Sequence, residues 1–378
     1  MTRFNIPFHK VCFTDNEIQA VSNTIKSGWI TMGPKTLDFE NRLKAYLNVQ
    51  YALAVSSATA ALHLALKAIG LKSGDEVILP TNTFVASAEV VTYFKAKPVL
   101  CDCDELTHNI DPDKIEALIT SKTKAIMPVH FAGIPCEMDK IMDIAKAHKL
   151  HVIEDAAHAL PSRYKGKLAG CIGDIGCYSF YATKTLSTGE GGMAVSSNPK
   201  FAESIKVNRL HGIKQDAWNR YSEHGDWFYQ VVDNGFKYNM TDINASLGIE
   251  QLKKLDRMTE KRTEIANQYT QGFSGYKHIN YLKLPSDCRS SWHLYVIKVK
   301  NRNQFIQDMK KAGITCSVHF IPIHKHPYYK KTFRYKEGDF PVANQIFEQS
   351  VSLPIYPDLI EEQVVYIIDK TIKYASQT

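Results

Sequence analysis

Five short apolar runs, each bounded by glycine, proline or charge, constrain this chain more than any other feature. They are GDEVILP (74–80), KPVLC (97–101), KAIMPVH (124–130), HVIED (151–155) and IGCYSFY (175–181). Runs of this length and character read as strands buried within a sheet. Between them lie helical patterns: Leu62, Ala65, Leu66 and Ile69 recur at helical spacing, as do Met138, Ile141, Met142 and Ala145. Strands alternating with helices imply an α/β fold, a mainly parallel sheet with helices on both faces.

From about residue 246 the texture changes. TDINASLGIEQLKKLDRMTEKRTEIANQY reads as one long amphipathic helix, WHLYVIKV (292–299) as a strand, 304–312 as a helix, and a final helix starts at Glu361. The expected division is a large unit over 1–245 and a smaller C-terminal α+β unit over 246–378. With 378 residues and 44% hydrophobic content, both units have material for a core.

Charge and cysteine usage narrow the function classes. The net charge of +7 is spread along the chain without a basic block, which speaks against nucleic acid and suits an acidic small molecule such as a phosphorylated cofactor or a nucleotide. The first residues, MTRFNIPFHKVCF, lack the apolar core of a secretory signal. No stretch approaches the roughly 20 apolar residues of a membrane span. A cytoplasmic protein without membrane partners is expected. Eight scattered cysteines contain no C-x-x-C pair, so reduced thiols and no metal site are expected.

In sheets of this kind ligands sit at the carboxyl ends of the strands, which directs attention to three places. VSSATAALHLAL puts Ser56, Ser57, Ala58 and Thr59 at the start of a strong helix. Small residues there make either a plain N-cap or a cradle for an anion. HVIEDAAHA ends a strand with Asp155. A carboxylate in that position needs a partner, either a structural cation or a protonated pyridine nitrogen. SFYATKTLSTGEGG follows the next strand with Lys184 and then Gly189, Gly191 and Gly192. A desolvated lysine forms an imine with an aldehyde, and the glycines let backbone pass close to a cofactor. Phosphate cradle, carboxylate and lysine together are what a protein supplies to pyridoxal 5'-phosphate. Phe84, at another strand end, is placed to stack on its ring, and Ser179 to bond its phosphate.

The segments WITMGPK, VSSATAALH, TNTFVASA, PVHFAG, VIEDAAHA, SFYATKTLSTGEGG, GFKYNMTDINASLG and LPIYP together resemble the DegT/DnrJ/EryC1/StrS family of nucleotide-sugar aminotransferases over nearly the whole chain. The resemblance implies the type I pyridoxal-phosphate-dependent aminotransferase fold and a homodimer with shared active sites. It also implies ping-pong transfer of an amino group from L-glutamate to a keto sugar, with pyridoxamine 5'-phosphate as the intermediate cofactor form. Residue by residue, Lys184 falls at the imine-forming lysine and Asp155 at the partner of the pyridine nitrogen. His158 falls beside the ring and Phe84 at the stacking aromatic, with Ser57, Ala58, Thr59 and Ser179 around the phosphate. Lys237 and Asn239 fall where the family reaches into the neighbouring subunit, although many relatives read G-Y-N-Y-R-M where this chain has GFKYNM. Leu160 and Pro161 replace the small residues common after the histidine.

For the sugar, SGWITMGPKTLDFE, HGIKQDAWNR, GFKYNMTDIN and SWHLYVI are similar to the branch that aminates UDP-4-keto-pentose. VHFIPIHKHPYY (318–329) is equally similar to the branch acting on UDP-linked 4-keto-6-deoxy-N-acetylhexosamines. Either implies C4 amination of a UDP-sugar, with Ile30, Thr31, Met32, Gly33, His319 and Phe320 lining the sugar pocket. Two other classes stay open: a sugar dehydratase or isomerase on the same fold, and a nucleotide-sugar-binding protein without catalysis.

Overall fold

The structure, a computed structural model, describes residues 4–214 and 228–377. Its strands are β1 Tyr51–Val55, β2 Glu76–Pro80, β3 Lys97–Cys101, β4 Thr123–Ile126, β5 His151–Asp155, β6 Arg163–Tyr164, β7 Lys167–Leu168, β8 Ile175–Ser179, β9 Gly192–Ser196, β10 Asn280–Tyr281, β11 Cys288–Arg289, β12 Tyr295–Lys298 and β13 Ser350–Leu353. Seven of them form one sheet in the order β1-β9-β8-β5-β4-β2-β3. Neighbours from β8 to β3 pair in parallel, whereas β9 runs antiparallel to both β8 and β1.

Alternate residues of these strands divide between two cores, as the period of two requires. Val77, Leu79, Ile153, Cys177 and Ala194 pack with Leu62 and Leu66 of helix Ala58–Ala68 on one face. On the other, Ile78, Ile126 and Val152 meet Met138 and Ile141 of helix Met138–His148. Tyr178, Met193 and Val195 meet Phe39 of helix Pro34–Leu47 on that side. Both faces are covered, which is why the strand sequences are apolar throughout.

Beyond residue 245, helices Leu255–Phe273 and Glu361–Ala375 pack against the three-stranded sheet β10-β12-β13. Packing crosses residue 245 in three places. Helix Asp242–Lys253 lies on helices Asp15–Lys26 and Pro34–Leu47 of the large unit. Ile6 joins the small unit's core and exchanges backbone hydrogen bonds with Gly313 and Thr315. Ile323, Tyr329, Phe340 and Ile346 return to the large sheet's core.

Three expectations need correction. The long helix after 241 is two helices, broken at Lys254, whose backbone leaves the helical region (φ −115, ψ 5). The strand read over 292–299 begins only at Tyr295, because Trp292 adopts a positive φ of 48 in a turn closed by Ser290 Oγ. The run 124–130 is regular strand only to Ile126; beyond it, around Pro128, which has no N–H to give, pairing continues irregularly through Met127 N–H to the Ile78 carbonyl and a Val129–Asp155 bridge.

On β5 the alternation separates two adjacent carboxylates. Glu154 points away from the strand-end cleft and is fully buried. It accepts from the backbone N–H groups of Gly170 (2.7 Å), Ile172 (2.7 Å) and Gly173 (2.6 Å), and from His130 Nε2 (2.9 Å). Burial alone would raise its pKa, but these donors, His130 foremost, hold it below the ordinary carboxylate value. A depressed folded-state pKa contributes stability that is complete above the unfolded value near 4.5 and is lost as pH falls through the folded one. We therefore expect Glu154→Gln to destabilise the protein by about 2–4 kcal/mol at pH 7 in denaturant melts. The gap from wild type should narrow as pH falls below about 4.5. A gap independent of pH would mean that the carboxylate's charge is not what holds the 170–173 loop.

Candidate active site

The carboxyl ends of the parallel strands and the start of antiparallel β9 meet at one edge of the sheet, and the polar residues singled out in the sequence gather there. Asp155 ends β5 and is 5% exposed. Its Oδ2 accepts from Ser87 Oγ at 2.7 Å and its Oδ1 from the Ala157 N–H at 3.1 Å. Ser87 is in turn 2.8 Å from Thr83 Oγ1. Burial raises the Asp155 pKa despite these donors, so the anion lacks the full compensation that a cation would supply.

Lys184 lies in the turn that follows β8, with its N–H bonded to the Tyr181 carbonyl. Desolvation lowers its amine to about 8, and the charge of Asp155 opposes the shift. Among the described residues nothing hydrogen-bonds its Nζ. A neutral amine at that position is a nucleophile toward a carbonyl and a base toward an acidic C–H.

At the end of β1, Ser57 caps helix Ala58–Ala68, its Oγ accepting from the Ala60 N–H at 3.1 Å. The Ala58 and Thr59 N–H groups, at the positive end of the helix, are left for another acceptor. Gly192 at the start of β9 runs so close that a Cβ there would lie 2.4 Å from Ser57 C and 2.6 Å from Ala58 N. Only glycine fits beside this cradle. Ser179 ends β8 and its Oγ accepts from the Tyr181 N–H at 3.3 Å.

Aromatic rings close the opposite side. Phe84, 57% exposed, has its ring 5.7 Å from Phe320, which lies 5.8 Å from His158. His158 is buried, and its Nδ1 accepts from the Ala132 N–H at 3.2 Å. Burial, with Lys184 next, holds its imidazole well below the ordinary value and therefore neutral. His319 Nδ1 pairs with Ser352 Oγ at 2.9 Å. Burial and then Lys184 take its pKa down to about 4.

The remaining residues are placed differently. Asn239 pairs its backbone with Val55, and Ser56 N–H bonds the Tyr238 carbonyl, so this segment lies against its own chain's cradle. The cap of helix Asp242–Lys253 is Thr241. Lys237 is exposed and pairs its backbone with Leu210. Met32 and Gly33 are buried, with a Gly33 Cβ excluded by the Trp29 ring, while Ile30 and Thr31 are exposed. Asp242 ties down this loop, accepting from the N–H groups of Gly33 (2.8 Å), Lys35 (3.0 Å) and Thr36 (2.9 Å). In HGIKQDAWNR, positions 215–220 lie outside the described residues.

Sequence reasoning missed Ser87, Thr83, His9, His293 and Arg262. Burial pushes His9 down to about 4, with Arg262 adding to the effect, the Ala182 carbonyl opposing it and Lys184 contributing last. His293 is buried with its ring 4.3 Å from that of His158. Ser87, at helical spacing from Thr83 behind a strand end, was the one with a readable signal.

A desolvated lysine facing a buried carboxylate, with an anion cradle alongside on a mainly parallel sheet, defines a class: the pyridoxal-phosphate-dependent aminotransferases. The chain belongs to the DegT/DnrJ/EryC1/StrS aminotransferase family, matching it over residues 11–371. It is 48% identical over 378 residues to an uncharacterised protein of Methanocaldococcus jannaschii, covering 98% of both chains. It is 45% identical over 379 residues to the spore coat polysaccharide biosynthesis protein SpsC of Bacillus subtilis, covering 96% of this chain and 95% of that one. A putative sugar aminotransferase from Streptococcus pneumoniae, solved in its PMP form, superposes with a TM-score of 0.93 at 37% identity, over 99% of this chain and 100% of that one. Among the described residues no helix is long and apolar enough to cross a membrane.

The environment of Lys184 generates a direct expectation. In the cofactor-free protein, labelling of Lys184 by an amine-reactive probe should reach half its maximal rate near pH 8. Asp155→Asn should move that midpoint down, because it removes the anion that favours the ammonium. A midpoint near 10.5, the ordinary lysine value, would show a solvated amine.

Proposed function

We propose that this protein transfers an amino group from L-glutamate to the C4 keto group of a UDP-linked sugar, for the biosynthesis of a surface polysaccharide. The observation that carries the reading is the pair Lys184 and Asp155, brought to one edge of the sheet, where no described Lys, Arg or His forms an ion pair with the carboxylate. The relationship to SpsC supports a role in polysaccharide biosynthesis. Eight unpaired cysteines suit a reducing cytoplasm.

The residues present fit pyridoxal phosphate. Ser57, Ala58, Thr59 and Ser179 would hold the phosphate, Asp155 would meet the ring nitrogen, and Phe84 and His158 would lie beside the ring. When bound, the cofactor supplies an aldehyde that captures the donor's amine and a ring that delocalises the electron pair left as the α-proton departs. Lys184 Nζ, whose neutral form becomes available near pH 8 rather than near 10.5, takes that α-proton and later returns one. The charge of Asp155, oriented by Ser87 and the Ala157 N–H, favours a protonated ring nitrogen. In the second half-reaction the same groups act in reverse on the keto sugar, held by Ile30, Thr31, Met32, Gly33, His319 and Phe320.

Borohydride should fix the cofactor on Lys184, and Lys184→Ala should abolish turnover with glutamate while keeping the fold. An adduct on another lysine, or steady-state turnover by that variant, would refute the assignment. Asp155→Asn should lose at least about a hundredfold in turnover.

The protein acts as a homodimer with shared sites. In support, helix Asp15–Lys26 exposes Ile18 (67%) and Ile25 (56%), beside exposed Phe13. Lys237 or Asn239 reaches the partner's site, and Lys237, the exposed one, is the position to test first. Mixing inactive Lys184→Ala and Lys237→Glu subunits should then restore up to half the activity of an equal amount of mixed dimer built from wild type. Subunit exchange shown by mass without recovered activity would rule the sharing out.

A further inference from the structure

The segment 236–239 runs beside the start of helix Ala58–Ala68 and is held on both sides by backbone hydrogen bonds. On one side the N–H groups of Phe236 and Tyr238 donate to the carbonyls of Asn208 (2.7 Å) and Arg209 (2.9 Å). On the other the Ser56 N–H donates to the Tyr238 carbonyl at 2.7 Å, and Asn239 bridges to Val55. Alternation along an extended segment parts its side chains. Phe236 and Tyr238 pack against the core that holds Leu62 and Leu66, whereas Lys237 is exposed.

Tyr238 meets the helix a second time. Its hydroxyl lies 3.1 Å from Nδ1 of His63, in the second turn of that helix. His63 is 6% exposed, and its ring sits among those of Phe236 (4.6 Å), Phe94 (5.0 Å), Tyr93 (5.1 Å) and Tyr238 (5.9 Å). Burial, with the charge of Lys67 adding to it, takes the imidazole down to about 4, and burial raises the Tyr238 phenol. The contact therefore joins two neutral groups at physiological pH. A closed circuit results, from the Ser56 N–H to the Tyr238 carbonyl, through the Tyr238 side chain to His63, and back along the helix to its cap, Ser57. The Ala58 and Thr59 N–H groups stand where this circuit closes.

We propose that Tyr238 and His63 are positioning residues for the cofactor's phosphate: their contact sets the start of helix Ala58–Ala68 and so the direction in which its first N–H groups are presented. The inference rests on the reading of that helix start as the phosphate cradle. Neither residue is among those placed beside the ring or at Lys184, so the effect falls on the phosphate. One segment then has two duties, with Tyr238 serving the cradle of its own chain while Lys237 or Asn239 serves the partner.

The test titrates the cofactor-free protein with pyridoxal 5'-phosphate and, separately, with pyridoxal, which has the same ring and aldehyde but no phosphate. Imine absorbance reports binding, and the ratio of the two affinities is the readout, because a general loosening of the fold would weaken both. Tyr238→Phe, which removes one hydroxyl from an intact ring, and His63→Leu should each weaken pyridoxal 5'-phosphate about threefold to tenfold. Pyridoxal should stay within about twofold of wild type. The double variant should lose no more than the weaker single variant to within about twofold, since both act through one contact. His63→Gln, whose amide can meet the phenol, should recover most of the loss. Circular dichroism checks the fold, and Tyr238→Phe decides if His63→Leu does not fold. Equal losses for the two ligands, no loss in Tyr238→Phe, or losses that multiply in the double variant would overturn the proposal. A wild type that binds both ligands equally would remove the phosphate cradle and the inference with it. If the phosphate-selective loss is seen but L-glutamate does not convert the loaded wild type, the positioning role stands and the glutamate-donor reading falls.

Discussion

Two adjacent carboxylates at the end of one buried strand govern the architecture of this site. The period of two on β5 sends Glu154 and Asp155 to opposite sides, and each is kept ionisable by a different means. Glu154 is surrounded by backbone donors and by His130, so its charge is satisfied within the fold and serves to anchor the 170–173 loop. Asp155 receives one hydroxyl and one N–H, too little to offset its burial, and its pKa rises. The same residue chemistry thus does structural work on one side of the strand and leaves an unmet electrostatic demand on the other.

That demand shapes what surrounds it. Lys184 is the cation in reach, and desolvation weakens its own hold on a proton. Neither group fully satisfies the other, the kind of perturbation that clusters at functional sites. Thr83 and Ser87 fix the carboxylate from helix Val85–Thr92. Gly192 brings the antiparallel strand hard against the helix start at Ser57, so that helix start and the lysine turn lie at one edge of the sheet.

The small unit contributes through burial. His293 and Arg262 belong to its packing, and His9 arrives from the N-terminal segment that pairs with Ile314. Because Ile323 to Ile346 return to the large sheet's core, the two cores are sewn together around the cleft.

The α/β architecture was legible because strands covered on both faces must be apolar throughout, a property of composition that survives without coordinates. Lys184, Asp155 and the helix start at Ser57 were legible because strand ends are where such sheets bind ligands, and each sits directly after an apolar run. The break at Lys254 and the late start of β12 were not, since both depend on local backbone angles that amphipathic periodicity does not encode. His9, His293 and Arg262 read in the sequence as an ordinary loop residue, a residue within an apolar stretch and one charge on a helix face. Only the tertiary structure decided that they meet. Desolvation is a property of a place in space, and His9 comes to that place from more than 250 positions before Arg262 and His293 along the chain.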